Sequence, residues 1–373
     1  MTRQLLPFPA ALTIIQTETS EMQFQEKGVE MKAIVFHQHG GLDQVRYDTV
    51  PRPQMGPDEV LLQVKAAAYN RLDLWVLAGW PGLNLKLPHV MGSDGAGVIA
   101  EVGANVTGFV IGDRVAINPT LSCGKCPYCR AGRDNLCDRF AIMGEHVDGF
   151  AAEFTAVPAR NLLPLPDTVA FETAAAASLV FVTAWHSLIT QGHLQAGESV
   201  LVVGAGGGVN TAAIQIARLA GAGPIYVVGS SAEKLTLAEE LGADVLINRQ
   251  EEDWGKAVFR ATNRQGVDVV VDNVGAATYF KSLRALKKGG RLLTVGNTSG
   301  PKFELDNRLL FAKHLRIIGS TMGTIRDYEQ VMGLLFNGRL QPVIDSIAPL
   351  SEGVAMLEKL QTGAAAGKLV LKL

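Results

Sequence analysis

From residue 199 onward, short apolar runs alternate with amphipathic stretches. Ser199–Ala205 (SVLVVGA) is rich in valine and reads as a strand. Gly208 to Ala220 carries a helical pattern and Ile225–Val228 reads as a second strand. Glu233–Leu241 reads as a helix stopped by Gly242, a residue that tolerates the left-handed turn at a helix end. Val245–Ile247, Val267–Val271, Leu292–Val295 and Leu315–Ile318 supply four more strands. Near-continuous apolar strands separated by helices predict a parallel sheet covered on both faces. Six strands in this order predict a doubly wound α/β fold of the dinucleotide-binding kind.

Composition bounds the rest. A length of 373 residues suits two domains. With 47% hydrophobic and 19% charged residues, a disordered or fibrous chain is excluded. The net charge of −2 and the lack of a basic run argue against a nucleic-acid partner held by bulk charge. The 40 glycines follow no Gly-X-Y period, so they point to tight turns and phosphate loops. The longest uncharged window, Ser199 to Ala217, has glycines in its middle and reads as strand, loop and helix, so no membrane span is predicted. Pro7 and Pro9 interrupt the N-terminal apolar patch and no small-residue cleavage site follows; with no signal peptide read, a cytoplasmic protein is expected.

The loop after the first of these strands is Gly204-Ala205-Gly206-Gly207-Gly208-Val209-Asn210. Glycines let backbone approach a pyrophosphate, and the N-terminus of the next helix then faces it. Asn210 stands where the usual pattern ends in glycine. The end of the second strand normally selects the cofactor, an acidic residue there binding the ribose of NAD. Here the run is Gly229-Ser230-Ser231-Ala232-Glu233-Lys234, with two hydroxyls and a lysine that suit a 2′-phosphate. Glu233 falls in the first helical turn, where it complements the helix dipole. NADPH is therefore the expected cofactor. Arg249, after the third strand, either adds charge on the adenosine side or is a solvated surface arginine. Loops at strand C-termini should face the cofactor, which brings in Asn273, Val274 and Asn297.

All four cysteines lie in one stretch: Cys123, Cys126, Cys129 and Cys137. Close cysteines on turns can supply the tetrahedral thiolates zinc wants, and four protein ligands leave no position for substrate. One structural Zn2+ is expected; two disulfides are the competing reading, disfavoured in a chain with no secretory signal.

These residues resemble the medium-chain dehydrogenase/reductase superfamily of zinc alcohol dehydrogenases and quinone oxidoreductases. The resemblance spans about residues 31 to 373. It rests on Met31-Lys32-Ala33, Gly112-Asp113-Arg114-Val115, the cysteine lobe, the glycine loop and Gly367-Lys368-Leu369-Val370. It implies a GroES-like, mostly-β catalytic domain (31–179 and 320–373, with a zinc lobe at 120–138) into which a Rossmann domain (180–319) is inserted. Residues 1–30 match nothing in the pattern and are expected to be a disordered N-terminal extension. The resemblance also implies a homodimer or homotetramer, since the family commonly pairs Rossmann edges.

The family's catalytic zinc ligands do not carry over. The positions of its Cys, His and Cys are taken by Asn70, Ser93 and Leu179. Carboxylates with one distant His (Asp73, Asp94, His89) make a poor zinc site. A catalytic zinc is therefore expected to be absent, and with it the means of lowering an alcohol's pKa. The expected activity is NADPH-dependent hydride transfer to a quinone or α,β-unsaturated carbonyl. The alternatives are an alcohol dehydrogenase with non-standard ligands and a non-enzymatic NADPH-binding protein.

The candidate catalytic residues are Asn70 and Asp73. Asn70 either orients the nicotinamide and polarises the acceptor oxygen or is a turn amide. Asp73, like Asp94, either orients a proton donor or caps locally. Tyr69 either donates a proton to the product enolate or is a half-buried strand residue, and Trp75 and Trp80 read as cleft or core. His146 and His186 read as structural. By resemblance, Thr183 lies at the nicotinamide side, Gly323 and Thr324 follow the last strand to face the cofactor, and Lys368 reaches the pyrophosphate.

Overall fold

The computed structural model describes residues 29–373. The expected N-terminal extension lies, but for its last two residues, outside the described residues. Three sheets carry the fold. A small antiparallel sheet joins Glu30–Phe36, Val45–Pro51 and His89–Val90. A seven-stranded sheet is built around the long strand Glu59–Tyr69. The third sheet is parallel and six-stranded, in the order Val245–Asn248, Ile225–Gly229, Val200–Val203, Val267–Asp272, Leu286–Thr294, Arg316–Gly319. Numbered along the chain, that order is 3-2-1-4-5-6, the doubly wound arrangement with its crevice beside the first strand. All six predicted strands are present. The fifth begins earlier than its apolar run, at Leu286, because an irregularity in pairing between Val267 and Val269 lets Lys287–Gly290 join it.

The chain returns to the seven-stranded sheet at its end. Lys368–Lys372 pairs antiparallel with Glu59–Tyr69, Leu369 facing Tyr69, and parallel with Ile344–Pro349. On its other side Glu59–Tyr69 pairs with Asp94–Val102, Ala68 facing Asp94. These two registers bring Asn70, Asp94 and Lys368, far apart in sequence, to one end of one sheet.

The helix Phe171–Trp185, continued by a wider π-type turn His186–Gln191, is the most buried of the helices. Residues 171–191 are long and apolar enough to cross a membrane, but 78% of the most apolar window is buried inside the protein. Their hydrophobicity is spent on packing against the seven-stranded sheet and the helices Gly208–Leu219 and Ile325–Phe336, with the turn His186–Gln191 reaching the strand Leu286–Thr294. The sequence window singled out earlier, 199–217, is indeed strand, loop and helix. Residues 179 and 180 are neighbours in mid-helix, so the chain passes from one sheet to the other through this helix, with no linker at the expected boundary.

Candidate active site and metal lobe

A cavity of about 810 Å3 lies between the seven-stranded and six-stranded sheets. That volume suits a small-molecule and cofactor cleft. The glycine loop forms one end. Gly204 has φ +115°, and a side chain there would run into Asn210, whose Nδ2 donates to Val203 O at 3.0 Å. Asn210 Oδ1 accepts from Asn273 Nδ2 at 2.6 Å. The amide at the last glycine position thus ties the ends of two adjacent strands together. The helix Gly208–Leu219 starts behind Gly207 with no side-chain cap. Its first N–H groups are left for an anion, as a dinucleotide pyrophosphate site requires.

At the end of the second strand no carboxylate appears. Ser230 is half-buried, and Ser231 Oγ caps the helix Ala232–Glu240 by accepting Lys234 N at 3.4 Å. Arg249 is exposed and is held beside that strand end by its own N–H, bonded to Gly229 O at 3.0 Å. Lys234 does not point to the same place: its Nζ donates to Gly363 O at 2.8 Å and its stem lies along Gly206.

At the cavity floor, Asn70 Nδ2 donates to Asp94 Oδ2 at 2.8 Å. Lys368 Nζ donates to Asn70 Oδ1 at 2.5 Å and to Asp94 Oδ2 at 2.8 Å. Asp94 Oδ1 accepts Leu179 N at 2.7 Å. Lys368 therefore does not extend its charge to the pyrophosphate as the resemblance implied. Only its stem touches the loop, beside Gly208, because a buried ammonium needs a buried counter-charge and Asp94 is it.

Asp73 is not on the cavity wall. One of its oxygens accepts Asn70 N at 2.7 Å and the other Gly92 N at 2.9 Å, so it closes a capping box on the helix Arg71–Ala78, whose N-cap is Asn70. Burial pushes its carboxyl up to about 7. Thr324 is likewise a cap: its Oγ1 accepts Asp327 N at 3.1 Å and donates to Asp327 Oδ2 at 2.8 Å. Gly323 packs against Val182 and His186. Val274 stands in a turn whose N–H is bonded to Asp272 Oδ1 at 2.8 Å, off the cavity. Thr183, Val209, Asn273 and Asn297 do line it. Thr183 Oγ1 donates to Leu179 O at 2.7 Å.

Two wall residues were missed. Arg71 faces the cavity with no ion pair among the described residues. Glu145 sits in a turn that Gly144 (φ +80°) presses against Gly92, where an added Cβ would lie 2.6 Å from Gly92 O. The glycine-bounded acid in Gly144-Glu145-His146 was the available signal for it. Trp75 and Trp80 line the cleft as one of their two readings had it.

The four cysteine Sγ atoms lie within 4.8 Å of one another, and none is in a disulfide. The Cys126–Cys129 and Cys123–Cys129 sulfurs are 3.5 and 4.0 Å apart. A tetrahedron of thiolates around zinc has edges of about 3.8 Å. Backbone N–H groups of Cys126 and Arg139 point at Cys123 and Cys137 at 3.2 and 3.3 Å, which favours thiolates. Among the described residues no other His, Cys, Asp or Glu cluster has metal-ligand geometry. The lobe is fastened to the rest by Asn135, whose Nδ2 meets His186 Nε2 at 3.1 Å, and by Asp134, which accepts Ile325 N at 3.1 Å.

The profile of the alcohol dehydrogenase GroES-like domain matches residues 56–167, and that of the zinc-binding dehydrogenase domain matches residues 208–337. An NAD-dependent alcohol dehydrogenase of Sulfolobus acidocaldarius is 32% identical over 92% of this chain and 99% of its own. An acryloyl-coenzyme A reductase of Sulfurisphaera tokodaii is 32% identical over 88% of this chain and 96% of its own. The crystal structure of an NAD-dependent alcohol dehydrogenase superposes with a TM-score of 0.87 at 42% identity, covering 92% of this chain and all of that one. Identity at this level, over nearly the whole length and across both large sheets, makes the chain an oxidoreductase of the medium-chain dehydrogenase/reductase superfamily, in its zinc-binding alcohol dehydrogenase-like branch.

Proposed function

We propose that this oxidoreductase uses NADPH to reduce an activated alkene or quinone and holds one zinc in a structural role. The observation that carries this is the cavity floor: Asn70 and Leu179 stand on it, and Asn70, Asp94 and Lys368 are already hydrogen-bonded to one another. Neither these groups nor the nearby Ser93 supplies the thiolate or imidazole that zinc selects. A cavity so equipped has poor means of activating an alcohol through a metal and good means of polarising a carbonyl.

Bound reduced nicotinamide supplies hydride. The protein's part is to hold it and to prepare the acceptor. The glycine loop with the following helix N-terminus takes the pyrophosphate, helped by Arg71, while Ser230, Ser231 and Arg249 suit the 2′-phosphate. Thr183, Val209 and Asn273 bound the nicotinamide side, with Asn297 and the backbone around Gly323 near it. Asn70 has a second Nδ2–H, and Lys368 a third N–H, free to meet the acceptor oxygen. Both strengthen as negative charge grows there, which is the condition for catalysis. The tryptophans keep the cleft apolar.

Cys123, Cys126, Cys129 and Cys137 hold zinc in the lobe. A second copy of the chain joins at the outer strand Arg316–Gly319, an open sheet edge with exposed Ile317 and, nearby, exposed Phe311. The second reading, an alcohol dehydrogenase, is favoured by the relatives that carry that name, while the acryloyl-coenzyme A reductase relative favours the first.

One experiment separates them. Zinc per chain is measured on protein purified without chelator, and turnover with a short enone, an ortho-quinone, and a primary alcohol plus NADP. One zinc and NADPH oxidation by enone or quinone support the reductase. Two zincs and alcohol oxidation refute it.

A further inference from the structure

Reduction of an enone leaves an enolate that must gain a proton at carbon. Lys368 is badly placed to give it, because losing that proton would strand the Asp94 carboxylate in a site with no exposure. Asn70 has no acidic proton. Tyr69 also borders the cavity, but its hydroxyl is buried against Gly353 and burial holds its pKa well above that of an ordinary phenol, which makes it a poor donor. Glu145 is the carboxyl on the wall beside Asn70. Its side chain is 13% exposed, so it borders both cavity and solvent. No N–H or O–H of the described residues is bonded to its carboxyl. His146 fixes the geometry beside it. The ring Nδ1 accepts Ile142 N at 3.1 Å, so the neutral ring carries its proton on Nε2, which faces Glu145 Oε1 at 3.7 Å. Burial lowers the pKa of that ring, so it stays neutral and acts as a fixed dipole.

Resting on the enone reading above, we propose that Glu145 is a catalytic residue, the acid that protonates the α-carbon of the enolate, and that His146 is its positioning residue. Once hydride has added at the β-carbon, the alkene π pair resides on the enolate. It returns to form the α-carbon–H bond with the Glu145 proton, leaving a carboxylate that solvent reprotonates at its exposed edge. An acid aimed at carbon narrows the acceptor to α,β-unsaturated carbonyls, since a quinone is protonated on oxygen. Burial, reinforced by the Asp73 carboxylate on the neighbouring helix, pushes Glu145 up to about 7, so the acid form persists at neutral pH. The charged groups around it are Asp73, His146 in its own turn, and Arg71 and Lys368 on the same cavity.

The test uses 2-methylcyclohex-2-enone and NADPH, whose product is chiral at the α-carbon. The wild type is expected to give one α-configuration and a kcat that falls above about pH 7. Glu145→Gln, isosteric and uncharged, should lose on the order of 100-fold in kcat with little change in KM. It should also lose the falling limb and give a mixture of α-configurations, because the enolate then takes its proton from water. Glu145→Asp should keep the configuration, and His146→Ala should move the limb to higher pH. If the wild type reduces the enone and Glu145→Gln retains its kcat, limb and configuration, Glu145 is not the acid while the reductase reading stands. If the wild type oxidises alcohol and leaves the enone untouched, the reductase reading fails and takes this inference with it.

Discussion

Replacing Lys368 by Met tests whether the cavity floor is held by charge. Lys368 Nζ and Asp94 Oδ2 are 2.8 Å apart, with side-chain exposures of 4% and 0%. At an effective dielectric near 20 their gross attraction is about 6 kcal/mol. Desolvation of both ions offsets much of it, so the pair adds little compared with an apolar substitute. Removing one partner is different, because it leaves an uncompensated buried carboxylate and costs about 3–5 kcal/mol. Asp94 keeps the N–H bonds from Asn70 and Leu179, which places Lys368→Met toward the lower end of that range. Asp94→Asn strands the ammonium in the same way. The double variant Asp94→Asn/Lys368→Met leaves no buried charge and should be more stable than the two single losses sum to, by about 2 kcal/mol or more. Urea unfolding at pH 7 without added nucleotide, on all four proteins, gives the cycle. Additive losses, or a Lys368→Met cost under about 1 kcal/mol, would refute the argument that this pair is mutually required.

Three further outcomes are expected. Asp327 is held down at about 2 by hydrogen bonds from His186, Thr190 and Thr324. A depressed carboxylate contributes stability above its unfolded pKa and loses it as pH falls, so about 2 kcal/mol should vanish between pH ~4 and pH ~2, and Asp327→Asn should abolish that arm of an unfolding-versus-pH curve. Cys137→Ser should lower bound zinc from one per chain toward none and depress the thermal midpoint, with metal analysis and calorimetry as the readouts. Arg249→Ala should cut the preference for NADPH over NADH by roughly tenfold in kcat/KM, a charge-assisted phosphate contact being worth about 1–2 kcal/mol; an unchanged ratio would leave Arg249 a surface residue.

The parallel sheet was legible because its signal is local. Valine-rich runs such as Val200–Val203 are buried on both faces and look it in any context. The cysteine lobe was legible for the same reason, its four cysteines falling within fifteen residues. Roles that depend on one side chain's destination were harder. Lys234 and Lys368 are both expected at cofactor phosphates, yet one reaches Gly363 O and the other a carboxylate on a distant strand. Asp73 and Thr324 had the residue types of chemistry and the geometry of caps, since a carboxylate or hydroxyl at a helix start is claimed first by the nearest free N–H.

By itself the sequence determined the strands of the parallel sheet, the glycine loop and the cysteine cluster, because each is a matter of local pattern or residue chemistry; the reading of Asn70, Ser93 and Leu179 as replaced ligand positions rests on the family resemblance. Only the tertiary structure decided that Asn70, Asp94 and Lys368 form one buried network, and that Glu145 rather than Asp73 faces the cavity. Those facts depend on strand registers between segments up to 298 residues apart and on the close packing of Gly144 against Gly92, which no short-range pattern encodes.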